Sequence, residues 1–276
     1  MEQKSDVVFR AEKEYKNSRE KFSFLLREVV SNSIHAVLIR KDKEQNFNPK
    51  VILKITYSDD KCEITLKDNG EGFTKVNSEC FERLDRRNPE KEQHNFHPLG
   101  QGRLAIVYFA DSARYETVYK DSEGVLKKRE IPYPNDKDDL FNIDLFSELL
   151  SDENDSYTIL NLAISKQKTL KRAKTFFKKY SNIEDLKLWF VKTFFPFIVN
   201  NEKLEIEIFY NSDSIVVKKE VLENEIELLP FNIDLGEEQS YPFNLWLIKT
   251  GLKIIWIFLI SEKMMKYTNY TNTERR

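Results

Sequence analysis

A chain of 276 residues is long enough for one large domain or two smaller ones. Its 44 basic and 46 acidic side chains leave a net charge of −2, which argues against a general polyanion binder despite seven Lys and Arg in residues 166–179. Cys62 and Cys80 match neither a metal-ligand spacing nor a disulfide framework, and the start shows no basic segment followed by an apolar core, so the expectation is a reduced, cytoplasmic protein without a secretory signal.

Residues 1–20 are charged with scattered apolar positions and predict a loosely packed helix or arm. From Phe22, the residues Leu25, Leu26, Val29, Val30 and Ile34 recur at three- and four-residue steps, the spacing of an amphipathic helix, with Ser23 placed to cap its start. Glu28, Asn32, His35 and Ile39 form a second stripe, so Glu28 and Asn32, one turn apart, point the same way. After a polar loop at 41–49, alternation from Val51 to Tyr57 and from Cys62 to Leu66 predicts a hairpin whose second strand ends in Asp68.

The run Asp68-Asn69-Gly70-Glu71-Gly72-Phe73 follows, in a chain with only seven glycines. Two more lie at Gly100 and Gly102. Glycine serves where φ must be positive or where something approaches the backbone closely, although Asp-Asn-Gly is also a common turn. Residues 77–98 are polar, with a short helix expected near 80–84; so long a connection is a lid, a binding loop or disordered. It ends in Leu99-Gly100-Gln101-Gly102-Arg103, and a helix over 104–110 and a strand over 115–119 follow. A glycine turn opening a helix gathers free backbone N–H groups at one point, which suits a phosphate.

Turns are expected at 122–124 and 131–134, an acidic connection through Asp155, a strand at 157–164 and a basic helix at 166–180. A domain boundary is placed near 165. Beyond it come an apolar helix at 182–199, short strands near 203–210, 214–229 and 241–260, and a tail from 268. The apolar stretch 245–260 is interrupted by Lys249 and Lys253 and falls short of about 20 continuous apolar residues, so it reads as a buried strand pair or helix, not a membrane span.

Taken together, Glu28-Val-Val-Ser-Asn32-Ser-Ile-His-Ala36, Asp68-Asn-Gly70-Glu-Gly72 and Gly100-Gln-Gly102-Arg103 resemble, in order and spacing, the three nucleotide-binding boxes of the GHKL ATPases, the group of gyrase, Hsp90, histidine kinases and MutL. The likeness covers residues 20–165. It implies an α+β fold, a two-layer α/β sandwich with a mixed sheet (the Bergerat type) over residues 1–165, followed by a smaller α+β transducer-like domain over 166–276.

The same resemblance implies ATP and Mg2+ as ligands. Glu28 would be the general base acting on water, and Asn32 the neutral oxygen offered to Mg2+. Asp68 would accept a hydrogen bond from the adenine amino group, with Gly70 and Gly72 in the same turn. Gly100 and Gly102 would hold the phosphates under a lid at 77–98, and Thr158 would support the adenine side. Arg103 either contacts a phosphate or pairs with a surface acid. His35 stands where the family often has an acid, and either helps to position water around the metal or is a pocket-edge histidine; His94 and His97 read as lid residues.

The expected activity is Mg2+-dependent ATP hydrolysis that closes the lid and drives a conformational or dimerisation switch, in a chaperone-like, repair-like or phage-defence setting. No phosphoacceptor segment precedes Glu28, which disfavours a kinase. The alternative is a nucleotide-gated module that binds a protein partner without useful hydrolysis. Nucleic-acid binding through 166–179 is a weaker third reading.

Overall fold

The computed structural model describes residues 7–16, 21–83, 85–94, 96, 102–133, 148–223, 226–234, 240–250 and 253–259. The expected tail from 268, and with it Gly100 and His97, lies outside these residues. The chain opens with α1 (Val7–Tyr15), whose Val7, Ala11 and Tyr15 are buried, so this segment is a packed helix and not the loose arm its charge suggested. Next comes α2 (Lys21–Lys43), with Phe22, Leu25, Leu26, Val30, Ile34 and Val37 all buried. Because α2 already begins at Lys21, Ser23 lies inside it and is no cap. By length and composition α2 would pass for a membrane span, yet the side chains that make it apolar are the ones packed in the core.

The alternating residues after α2 form β1 (Lys50–Tyr57) and β2 (Cys62–Asp68), paired antiparallel with Val51 opposite Asp68. Two short helices follow, α3 (Lys75–Glu82) and α4 (Pro89–Gln93), each opened by a side-chain cap: Thr74 accepts from the Asn77 amide, and Asn88 from those of Glu90 and Lys91. Then come α5 (Arg103–Phe109), β3 (Ser112–Lys120) and β4 (Leu126–Tyr133). The turn between β3 and β4 carries Gly124 at φ 81°, as expected for the 122–124 turn, whereas Ile131 to Tyr133 belong to β4 and not to a turn.

After β5 (Leu149–Leu150), β6 (Tyr157–Ile164) occupies the span expected for it. The basic segment becomes α6 (Gln167–Lys179), which buries Leu170, Ala173, Phe176 and Phe177 and leaves its lysines outside, Lys174 paired with Asp59 at 2.7 Å. In α7 (Ile183–Asn200) the aromatic stripe Trp189, Phe190 and Phe194 is core, as its spacing suggested. Then β7 (Glu205–Tyr210) and β8 (Asp213–Val217) complete an eight-stranded mixed sheet of order β5-β4-β3-β6-β2-β1-β7-β8.

The one parallel pair among these, β1 with β7, decides the domain organisation. It ties residues after 200 into the sheet that begins at Lys50, so the first compact unit runs to Val217 and not to the expected boundary near 165. The second unit comprises α8 (Lys219–Glu223) and an antiparallel sheet of β9 (Ile226–Asp234), β10 (Ser240–Thr250) and β11 (Lys253–Leu259). Residues 219–223 are therefore helical where strand was expected, while the apolar stretch 245–260 is the expected strand pair, with Leu247 opposite Trp256.

One row across the first sheet positions the candidate site. Residues directly opposite each other on neighbouring strands share a face. Arg129, Thr117, Thr158, Asp68, Val51, Ile206 and Val217 are linked in this way from β4 through β3, β6, β2, β1 and β7 to β8. The Val51 end of the row is wholly buried and apolar, and the change to polar residues comes at Asp68.

Candidate functional site

Asp68 closes β2 beneath α2 with only 4% of its surface exposed. Its carboxylate accepts from the Ser33 hydroxyl at 2.7 Å and from the Gly70 amide at 3.0 Å. Burial pushes its pKa up to about 6, against the pull of those two donors and of Lys91. Thr158 lies directly across from it on β6, so the expected pair of Asp68 and Thr158 is adjacent. The turn after Asp68 is pinned from both sides. Asn69 accepts from the Lys50 amide at 2.8 Å, and Arg40, 3% exposed, donates to the Asn69 carbonyl at 2.8 Å and to Asp155 at 2.5 Å.

Three glycines make this arrangement possible, for different reasons. At Gly70 a Cβ would lie 2.7 Å from the Ala36 Cβ and 2.9 Å from its carbonyl carbon, so the turn touches α2 with no room for a side chain. Gly72 has φ +72°, and a Cβ there would lie 2.4 Å from the Val118 carbonyl oxygen. At Gly102 the neighbour is different: a Cβ would sit 2.5 Å from the Glu28 carboxylate. The expected base and the expected phosphate loop, 74 positions apart by subtraction of their numbers, therefore meet.

These contacts predict two outcomes from one kind of substitution. Gly70→Ala and Gly72→Ala force backbone to move and should each cost about 2 to 3 kcal/mol in urea unfolding. Gly102→Ala meets only the end of a flexible side chain, so stability should stay within about 1 kcal/mol while the Glu28 carboxylate is displaced. Equal stability losses in all three would mean that Gly102 is a packing residue like the others.

On α2, Glu28 is half-buried, 3.5 Å from the Arg27 guanidinium, and Asn32, one turn later, is exposed. Toward the C-terminal end the same stripe sinks into the protein, with His35 at 8% and Ile39 at 3% exposure. His35 stacks on Phe96 at 4.2 Å between ring centres, and its buried Nδ1 has no hydrogen-bond partner. Burial, and then the charge of Lys91, hold its pKa well below the usual histidine range, so it is a neutral ring stacked on Phe96.

Sequence reasoning missed Lys91. Its ammonium, carried by α4, donates to the Asn32 side-chain oxygen at 2.6 Å. Desolvation lowers its pKa to about 8, while the carboxylates of Glu28 and Asp68 oppose that shift. Ser33 was missed too, although a polar residue beside Val29, Val30 and Ile34 on an otherwise apolar face was a legible sign of a buried partner. Arg103, expected on a phosphate or a surface acid, also has a structural role. Its guanidinium turns to the backbone carbonyls of Cys80 (2.9 Å), Phe81 and Arg83, fastening the end of α3 to the start of α5.

Among the described residues no group of three or more His, Cys, Asp and Glu side chains would hold a metal unaided. Asn32 offers a single neutral oxygen that already faces a cation, with the Glu28 carboxylate one turn away. Such a set fits Mg2+ that brings phosphate and water oxygens with it, since that ion keeps most of its ligands from those sources. No family model matches the chain, and no curated protein matches it.

Proposed function

We propose that the chain binds ATP with Mg2+ in the cleft between α2, the turn after β2 and the start of α5, and hydrolyses it in the manner of the GHKL ATPases it resembles. The observation that carries this reading is the meeting of three segments remote in sequence. A buried carboxylate, Asp68, lies at one end, and a half-buried one, Glu28, lies against Gly102 at the other. Asp68 retains unused lone pairs after serving Ser33 and Gly70, so it can accept from an exocyclic amine. Glu28 would take a proton from water beside the phosphate tail.

Asn32 would hold the metal, which when bound offsets the charge of the tail. In this reading the segment from α3 to Phe96 is the lid. Its closure, coupled to pairing of two copies or to a partner, is the output that the resemblance suggests. Titration calorimetry of the purified chain with the non-hydrolysable analogue AMP-PNP and Mg2+, alongside phosphate release from ATP, tests the proposal. Micromolar binding with slow release is expected, and absence of any heat with Mg2+ present would end it. Binding without release would favour the non-hydrolysing module, a reading that the hold of Lys91 on Asn32 also supports.

A further inference from the structure

The lid segment is fastened to α2 at several points. Glu90 pairs with Lys43 at 2.8 Å, His94 with Asp42 at 2.9 Å, and Phe96 stacks on His35 while touching Phe197 edge-on. Surface polar contacts of this kind hold weakly. Lys91 differs, because it reaches the one oxygen to which the proposed function assigns the metal.

We infer that Lys91 is an internal cation which holds the Asn32 oxygen, so that this docked position of α4 and the Mg2+–nucleotide complex compete for one ligand. The inference rests on the nucleotide reading and adds its regulation. The argument is one of geometry and charge. Mg2+ binds oxygen at about 2.0 to 2.1 Å, and an ammonium 2.6 Å from that same oxygen would stand against a divalent ion with no room for water between them. Both cannot hold Asn32. The carboxylates of Glu28 and Asp68 act to hold the ammonium there, against the desolvation that opposes its charge. Loading therefore requires Lys91 to leave, and α4, which carries it, to shift with it. The fraction of molecules with Lys91 withdrawn limits apparent affinity, as for any ligand that binds a minor conformer.

The test uses the full chain as wild type, Lys91→Met and Lys91→Arg. Thermal shift at saturating AMP-PNP gives the Mg2+ concentration at half-response. Lys91→Met, which keeps the length and loses the charge, should need about tenfold less Mg2+, whereas Lys91→Arg should stay near wild type. A second readout is independent of the variants. Amine labelling followed by mass spectrometry should find Lys91 slow to react in the free protein compared with exposed Lys61, and faster once Mg2+ and AMP-PNP are added. An unchanged or raised Mg2+ requirement in Lys91→Met overturns the inference while leaving nucleotide binding intact, a raised one marking Lys91 as a phosphate ligand. Rapid labelling of Lys91 in the free protein overturns it as well. If neither wild type nor Lys91→Met responds to AMP-PNP at any Mg2+ concentration, the nucleotide reading itself falls and takes the inference with it.

Discussion

Replacing Asp68 with Asn should make the protein more stable at neutral pH and unable to bind adenine nucleotide. The two effects share a cause. The folded-state pKa of Asp68 stands at about 6 because burial penalises the charged form, whereas an unfolded aspartate titrates near 3.9. Between those values the folded protein binds the extra proton. The contribution of Asp68 to stability is therefore full below about pH 4, declines as pH rises through 6, and is lost above it.

The gap between the folded and unfolded pKa values, which already includes the attraction to Lys91, corresponds to a gain of about 3 kcal/mol in the variant. Asn keeps the local bonds. Its oxygen accepts from the Gly70 amide, and its amide donates to the Ser33 hydroxyl, which can accept. The remaining N–H then faces the cleft where an acceptor stood, so an adenine amine meets a donor and affinity should fall at least about 100-fold. Urea unfolding at pH 4 and pH 7.5 checks the first effect, which should be near zero at the lower pH and near its maximum at the higher. Equal stability of the two proteins at both pH values would show that Asp68 is not held charged against its burial. Undiminished AMP-PNP binding would remove it from the adenine site.

Much of this architecture was legible from local pattern, because local pattern is what sets strand registers and helix faces. The period-two alternation of Val51, Leu53, Ile55 and of Cys62, Ile64, Leu66 reappears as the buried face of β1 and β2. The turn after β2 could be located because glycine is scarce in the chain and each of Gly70 and Gly72 replaces a clash. The attachment of β7 to β1 was not legible, since Glu205–Tyr210 looks like any short strand and its partner lies some 150 positions earlier, by subtraction of the paired numbers. The early boundary near 165 followed from that.

Within the site, the failure has a different origin. Residues 77–98 lack periodicity, so Arg86, Arg87 and Lys91 were equivalent on paper; only the Asn88-Pro89 cap, which starts α4, distinguishes the one that points at Asn32. The structural role of Arg103 was missed for the converse reason. Its neighbour Gly102 suggested a phosphate, but orientation within the first turn of α5 sends the guanidinium to the carbonyls that end α3. Sequence named the groups that backbone geometry places, and missed those whose side chains cross from one segment to another.

Glu28→Gln separates chemistry from binding, and is expected to lower phosphate release by about 10² to 10⁴ with AMP-PNP affinity unchanged. Gln is the informative replacement because it keeps the shape that fills the space beside Gly102, where Ala would leave a gap into which the loop could relax. The ion pair lost with Arg27 is 3.5 Å long and partly exposed, so the fold should register little of the change. A glutamine cannot take a proton from water at neutral pH, whereas its oxygen can still orient one, and a residual rate is therefore expected. Gly102→Ala provides the independent arm, since it leaves the carboxylate in the protein but pushes it from its position; its turnover should fall as well. If Glu28→Gln turned over ATP at the wild-type rate while Gly102→Ala did not, the loop would be essential and the base would have to be sought among other groups around the site.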